Sequence, residues 1–468
     1  MQRQAEWKSL LKRALFDQEP SAELLAILIV YFVQGVLGLA RLAISFFFKD
    51  ELGLSPAQVA ALMGIAAVPW VVKPLFGFLS DSLPLLGYRR RSYLVLAGLL
   101  GTAAWIALAA FVHTAMAATI AITIGSLAIA ISDVIVDSLV VERARKESQS
   151  DAGSLQSLCW GATAVGGLLT AYLSGFLLEH FSTHTIFAIT ATFPLLVSAV
   201  AGLIGEEKVS QGADLTALRH QVGQMRQALA EKAVWLPVAF LFLWQATPSS
   251  DAAFFFFTTN ELGFEPEFLG RVRLVTSVAA LVGVWIFQRF LRSIPVRQIF
   301  LWSTLLSALL GMTTLILVTH ANRSLGIDDR WFSLGDSLIL TVMGQIAYMP
   351  VLVLAARLCP PGIEATVFAL LMSITNLAGL LSHETGALLM HSLGIRENQF
   401  DLLWLLVLIT NLSTLLPLPL LHWLPPAEST LTGPSDGSDH DRGKGSEFTY
   451  PARSASSSIT ETQEIVHP

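Results

Sequence analysis

Asp133 and Asp137 stand in an otherwise apolar run, Ala118–Val141, long enough to cross a bilayer. A spacing of four puts both carboxylates on one face of a helix, one turn apart. A charge near the bilayer centre costs about 2.5–3.5 kcal/mol on insertion scales. Such groups persist where they line a cavity, bind a substrate or move a proton. One of the two suits a coupling proton, the other an acceptor for ligand N–H groups. Other apolar runs hold the cations Arg41, Lys73 and Arg271 and a third acid, Asp251. Trp160, Trp244 and Phe254 offer flat faces beside them. A permanent ion pairing among these charges is the alternative, since it also offsets their burial.

The elements that must carry these residues are membrane helices. Of 468 residues 53% are hydrophobic and 14% charged, with mean hydropathy +0.62; soluble domains run near about 25% charged. Apolar runs of spanning length, about 20 residues or more, fall near 23–48, 57–80, 93–113, 116–142, 154–179 and 185–205. They resume near 233–259, 267–289, 295–319, 333–356, 363–391 and 400–424. The expectation is an all-α polytopic protein of twelve transmembrane helices in two pseudo-symmetric six-helix bundles, 23–205 and 233–424. An amphipathic N-terminus (1–22) precedes them, a polar cytoplasmic linker (206–232) joins them, and a disordered cytoplasmic tail (425–468) closes the chain.

Basic residues orient the chain. With the N-terminus cytoplasmic, 21 of the 29 Lys and Arg fall on the inner side, against Lys49, Arg323, Arg330 and Arg396 outside. That bias predicts cytoplasmic termini in a plasma (inner) membrane. The net charge of −6 and scattered basic residues give no nucleic-acid face. Cys159 and Cys359 read as packing residues, with no metal spacing. No nucleophile–base constellation and no phosphate-binding Gly-Lys-Ser/Thr loop appears, so neither an enzyme nor an ATP-driven pump is expected, and no cofactor.

The halves repeat. Glu51-Leu52-Gly53-x-x-Pro56 recurs as Glu261-Leu262-Gly263-x-x-Pro266, each after a phenylalanine run, and Gly167-Leu168-Leu169 recurs as Gly379-Leu380-Leu381. A parallel duplication of six spans is the mark of major facilitator transporters. At the repeat offset Arg41 aligns with Asp251, so the two are expected to face each other across a central cavity and to respond to substrate. Between spans two and three, Gly77-Phe78-Leu79-Ser80-Asp81 and Gly87-Tyr88-Arg89-Arg90-Arg91 resemble the major facilitator loop signature, with three extra residues between Asp and the second Gly. A cytoplasmic gate of Gly77, Asp81, Arg89, Arg90, Arg91, Glu142, Arg145 and Arg357 is the reading; the alternative is a loop merely anchored by its arginines.

Longer strings are more specific: Lys73–Ser82, Ser132–Arg145, Gly153–Gly161, Thr247–Asp251, Glu267–Val272 and Ala355–Thr366. Together they resemble the folate–biopterin transporter family, from about Gly35 to Ala387. The resemblance implies proton-coupled uptake of folates or pterins by a secondary carrier, a symporter, and we expect a monomer. A pocket for folate wants an acidic acceptor for the pterin, cations for the glutamate tail and aromatics between. Arg41, Lys73, Asp133, Asp137, Trp160, Asp251 and Arg271 supply these types. A carrier of another organic anion, or a receptor that binds without translocating, uses similar charges.

Overall fold

Glycine and proline divide the long apolar runs into kinked helices. The computed structural model describes residues 20–144, 149–208, 223, 232–291, 294–357 and 364–424. The amphipathic N-terminus, most of the linker and the tail therefore lie outside the described residues. The chain divides into two units, Met1–Ala427 and Glu428–Pro468; the described helices all belong to the first.

Ser21 caps α1 (Ala22–Val36), its hydroxyl accepting from Leu24 N at 3.1 Å. A turn at Leu37–Gly38 leads to α2 (Leu39–Phe46), which runs into a π-turn, Phe47–Glu51. A Ser55/Gln58 capping box with Pro56 at the first position opens α3 (Pro56–Ala66). After the short piece Val68–Val71 comes α4 (Lys73–Ser82), with Pro74 in its first turn. Next come α5 (Arg91–Ala110), α6 (Ala115–Ala144), α7 (Gln149–His180) and α8 (Thr183–Val200). The second half holds α9 (Lys232–Gln245), α10 (Asp251–Phe256) with its π-turn Phe257–Glu261, and α11 (Pro266–Ile286). It ends with α12 (Val296–Gly311), α13 (Asp329–Arg357), α14 (Glu364–Ser392) and α15 (Leu403–Ser413).

Among the described residues ten helical stretches, from Ala22–Glu51 to Leu403–Trp423, are long and apolar enough to cross a membrane. The expected seventh and eleventh spans are outside that set. The seventh is broken at 246–250, between α9 and α10, and the eleventh is the 29-residue α14. Large apolar side chains such as Trp302, Leu309, Trp331 and Leu416 are exposed, as lipid-facing residues are, while Phe47, Phe187, Phe240 and Phe300 fill the interior. The protein is a multi-pass integral membrane protein.

The repeat seen in the sequence is a repeat of geometry. The π-turns Phe47–Glu51 and Phe257–Glu261 occupy the same place in each half, and Pro56 and Pro266 each begin the next helix. Gly53 and Gly263 between them share φ near +60°, at +61° and +64°, a backbone that favours glycine.

Candidate functional site

Small residues draw the helices together first. A Cβ on Gly35 would sit 2.1 Å from Thr163 O, and one on Gly166 would sit 2.4 Å from Phe32 O. Thus α1 and α7 touch backbone to backbone at Gly35 and Gly166. Thr163 Oγ1 fixes the register by donating to Tyr31 O at 3.0 Å. Tyr31 is thereby aimed at α6, where its hydroxyl donates to Asp137 Oδ1 at 2.5 Å.

The break at Val72 delivers Lys73 to the same place. Its ammonium pairs with Asp133 Oδ2 and, at 3.3 Å, with Asp137 Oδ2. It also lies 5.6 Å from the ring centroid of Trp70, within cation–π range. The two carboxylates differ in exposure, 13% for Asp133 and 48% for Asp137. Asp133 is committed to the lysine, whereas Asp137 opens to the space beside it. Two acids, one lysine and a phenol hydroxyl make a cluster that can hold or release one proton without leaving a bare charge. This joins three of the expected residues; Tyr31 and Trp70 are additions that no spacing in the sequence marks.

The loop residues form a second cluster. Arg90 bridges Asp81 at 2.7 Å and Glu142 at 2.8 Å, and donates to Ser80 Oγ at 3.0 Å. Gly77 lets α4 close on α6, since a Cβ there would be 3.3 Å from Val134 Cγ1. Arg91 lies over Tyr88, 5.6 Å from its centroid, and Arg89 Nε is buried without a described partner. The three extra residues of the loop form a tight turn with Leu86 and Gly87 at positive φ, closed by Leu85 and Tyr88. Arg145 lies outside the described residues, and of Arg357 only the backbone at the end of α13 is described.

Glu206 is a member of this cluster that sequence reasoning left in the linker. Its carboxylate accepts the backbone N–H of Arg89 at 2.6 Å and of Arg90 and Arg91 at 3.0–3.1 Å. It acts as the N-terminal cap that α5 lacks in its own sequence, since Arg90 makes no side-chain cap bond. Replacing Glu206 by Ala should cost about 1–2 kcal/mol, as loss of a helix cap does, seen as a lower melting temperature of purified protein. An unchanged melting temperature would remove Glu206 from the cap.

Other expected members lie elsewhere. Arg41 and Asp251 are both exposed and make no ion pair with each other. Instead α2 and α10 and the π-turns that follow them meet further on, where Phe46 stands edge-on to Phe255 at 5.3 Å and Lys49 Nζ reaches Asn260 Oδ1 at 2.9 Å. Arg271 is 61% exposed and paired with Glu267 at 2.6 Å. Arg273, two residues on, takes the inward place. Its Nη1 and Nη2 reach Gly38 O at 3.3 Å each and its Nη1 reaches Ser174 Oγ at 3.0 Å. Residues i and i+2 lie on opposite sides of a helix, so only one of the two arginines can face in.

Trp160 is 62% exposed. Trp244 is held in packing, its Nε1 donating to Thr304 Oγ1 at 3.1 Å and its ring edge-on to Phe300. A buried acid with no sequence signal, Asp336, accepts from Thr313 Oγ1 at 2.5 Å and Thr314 Oγ1 at 2.9 Å at the break that follows α12. Cys159 is buried and unpaired.

Comparison with known proteins bears on the same helices. The model of the BT1 family matches residues 34–440. A protein of Synechocystis sp. named folate-biopterin transporter is 61% identical over 442 residues, 94% of this chain and 90% of that one. Folate transporter 2 of Plasmodium falciparum is 31% identical over 404 residues, 86% of this chain and 88% of its own. Among solved structures, a D-xylose–proton symporter superposes with TM-score 0.63 at 15% identity, covering 86% of this chain and 98% of that one. A nucleoside transporter superposes with TM-score 0.65 at 16% identity, covering 86% and 98%. At such identity these two show the fold, that of the major facilitator transporters, and nothing of the substrate. The family and the relatives are transporters, not enzymes. With a family model covering most of its length and a 61% identical relative across 94% of it, the chain belongs to the BT1 family, the folate–biopterin transporters that its motifs resemble.

Proposed function

We propose that this protein is a secondary carrier of folates or related pterins, coupled to protons and working by alternating access. The observation that carries the reading is the cluster of Lys73, Asp133, Asp137 and Tyr31 in a chain 61% identical to a folate-biopterin transporter. Asp137, half-exposed and sharing its lysine with Asp133, is suited to take up a proton or to accept pterin N–H groups. Arg90, Asp81 and Glu142, with Gly77, Arg89, Arg91, Arg145 and its repeat equivalent Arg357, act as the cytoplasmic gate. Counting the broken helix of α9 and α10 and the long α14 gives twelve spans in two bundles, 23–205 and 233–424, in a monomer.

Uptake of a folate and pterin panel into proteoliposomes tests the substrate and the coupling together. Accumulation should occur for at least one folate or pterin and rise severalfold under an inward proton gradient. Binding without counterflow would mean a receptor; exchange of other organic anions alone would mean a different cargo; uptake indifferent to the gradient would remove the proton.

Orientation follows from the basic bias, with both termini cytoplasmic and the protein in the plasma (inner) membrane. In a variant with Cys159 and Cys359 replaced by Ser, single cysteines at Lys232 and Ser435 should resist an impermeant maleimide in intact cells, and one at Gln399 should react. The reverse pattern would invert the topology.

A further inference from the structure

Arg273 is a desolvated cation whose partners are all neutral. Among the described residues no carboxylate lies within ion-pair distance of it, and the charge that acts on it most directly is another cation, Arg41. Its main acceptor is already occupied: Gly38 O also takes the backbone N–H of Arg41 at 3.2 Å. Three donors thus crowd a carbonyl with two lone pairs, and the two guanidinium contacts are correspondingly long, at 3.3 Å. A guanidinium carries five N–H donors, so Arg273 keeps donors to spare. Arg41, one turn beyond the break at Gly38, has an exposed side chain and no described side-chain partner.

Two guanidinium groups therefore gather where helix one changes direction, and neither meets an anion among the described residues. A guanidinium held out of water without a counter-anion is costly until an anion joins it. The planar fork of arginine matches a carboxylate with two parallel bonds. Arg273 comes from α11, while Gly38 lies between α1 and α2 and Ser174 on α7, so a ligand that drew Arg273 off Gly38 O would loosen a contact between the two repeats.

We propose that Arg273 and Arg41 form the receptor for the substrate's carboxylates, the glutamate end of a folate, at the break in helix one. The proposal rests on the folate and pterin reading above and adds where the tail is held. Biopterin, which has no carboxylate, and pteroate, which lacks the glutamate and keeps one benzoate carboxylate, separate tail recognition from the other roles of these arginines.

The test is binding and counterflow of folate, pteroate and biopterin by the reconstituted full chain, wild type against Arg273→Gln, Arg273→Lys and Arg41→Gln. A lost hydrogen bond to a charged group should weaken folate about ten- to hundredfold in the Gln variants. Biopterin should change by less than about twofold, and pteroate, whose benzoate keeps a single carboxylate, should lose less than folate does. Arg273→Lys should recover part of the loss, keeping the charge without the fork. If Arg273→Gln fails to fold, Arg41→Gln, at an exposed side chain, carries the same expectation. Equal losses for all three ligands would mean a packing role and overturn the site, with the folate reading intact. Unchanged folate affinity would overturn it as well. A wild type that takes none of the three would remove the folate reading and this site with it.

Discussion

Replacing Lys73 by Met should lower uptake at least about a hundredfold and destabilise the protein. Lys73 is the described cation that meets both Asp133 and Asp137. Removing one partner of a buried pair costs about 3–5 kcal/mol, because the other charge stays buried and unpaired. Tyr31 would still donate its one hydroxyl hydrogen to Asp137, while Asp133 would lose its cation. The double variant Lys73→Met with Asp133→Asn removes the orphaned charge, so it should regain most of the melting temperature. If it also regains uptake, the lysine is only structural; if it folds and does not transport, Lys73 takes part in the cycle. Asp137→Asn is the complementary variant. It keeps the Lys73–Asp133 pair and leaves Tyr31 an amide oxygen to donate to, so it should fold, bind and exchange substrate, yet fail to accumulate it under a proton gradient. Normal accumulation by Asp137→Asn would take the coupling proton away from this residue.

What was legible in the sequence was what a single helix determines. Asp133 and Asp137 share a face because four residues make about one turn, and they do meet one lysine. The phenylalanine runs before Glu51 and Glu261 mark the same π-turn twice, and the 210-residue offset carries into backbone angles at Gly53 and Gly263. What was not legible is which of several helices supplies the partner. Lys73, Arg41 and Arg271 are equal candidates by type; only the breaks at Val72 and Gly38 and the rotation of α11 separate them. Arg271 and Arg273 illustrate the point, since a charge pattern does not give the rotation of a helix that is apolar on every side. Glu206 was hidden for another reason: its work is done on backbone N–H groups more than a hundred residues away, and no pattern of side chains records that. Asp336 likewise depends on a break at Met312, after α12, that no proline announces.

The contact between α7 and α11 gives the second large effect. A Cβ on Gly175 would lie 2.2 Å from Pro266 O and 2.7 Å from Gly270 Cα, and one on Gly270 would lie 2.9 Å from Gly175 Cα. These are backbone atoms on both sides, so no side chain can swing aside. The contact joins the two repeats at the end that carries Glu51 and Glu261. If alternating access opens this end, Gly175→Leu forbids one state and leaves the other free. Overpacking by about 3 kcal/mol shifts a balanced two-state equilibrium by more than about a hundredfold. Uptake should therefore vanish while the protein still folds and binds. A cysteine at Ala171, buried one turn earlier on α7, should be protected from an impermeant maleimide in the parent and react in the Gly175→Leu background. Gly270→Ala, with less to displace, should give a smaller shift in the same direction. Wild-type uptake by a well-folded Gly175→Leu would mean that the two helices separate freely here, and that the carrier's moving contact lies elsewhere. Lost uptake with Ala171 still protected would mean that the extra side chain blocks the path itself and leaves the balance of states where it was.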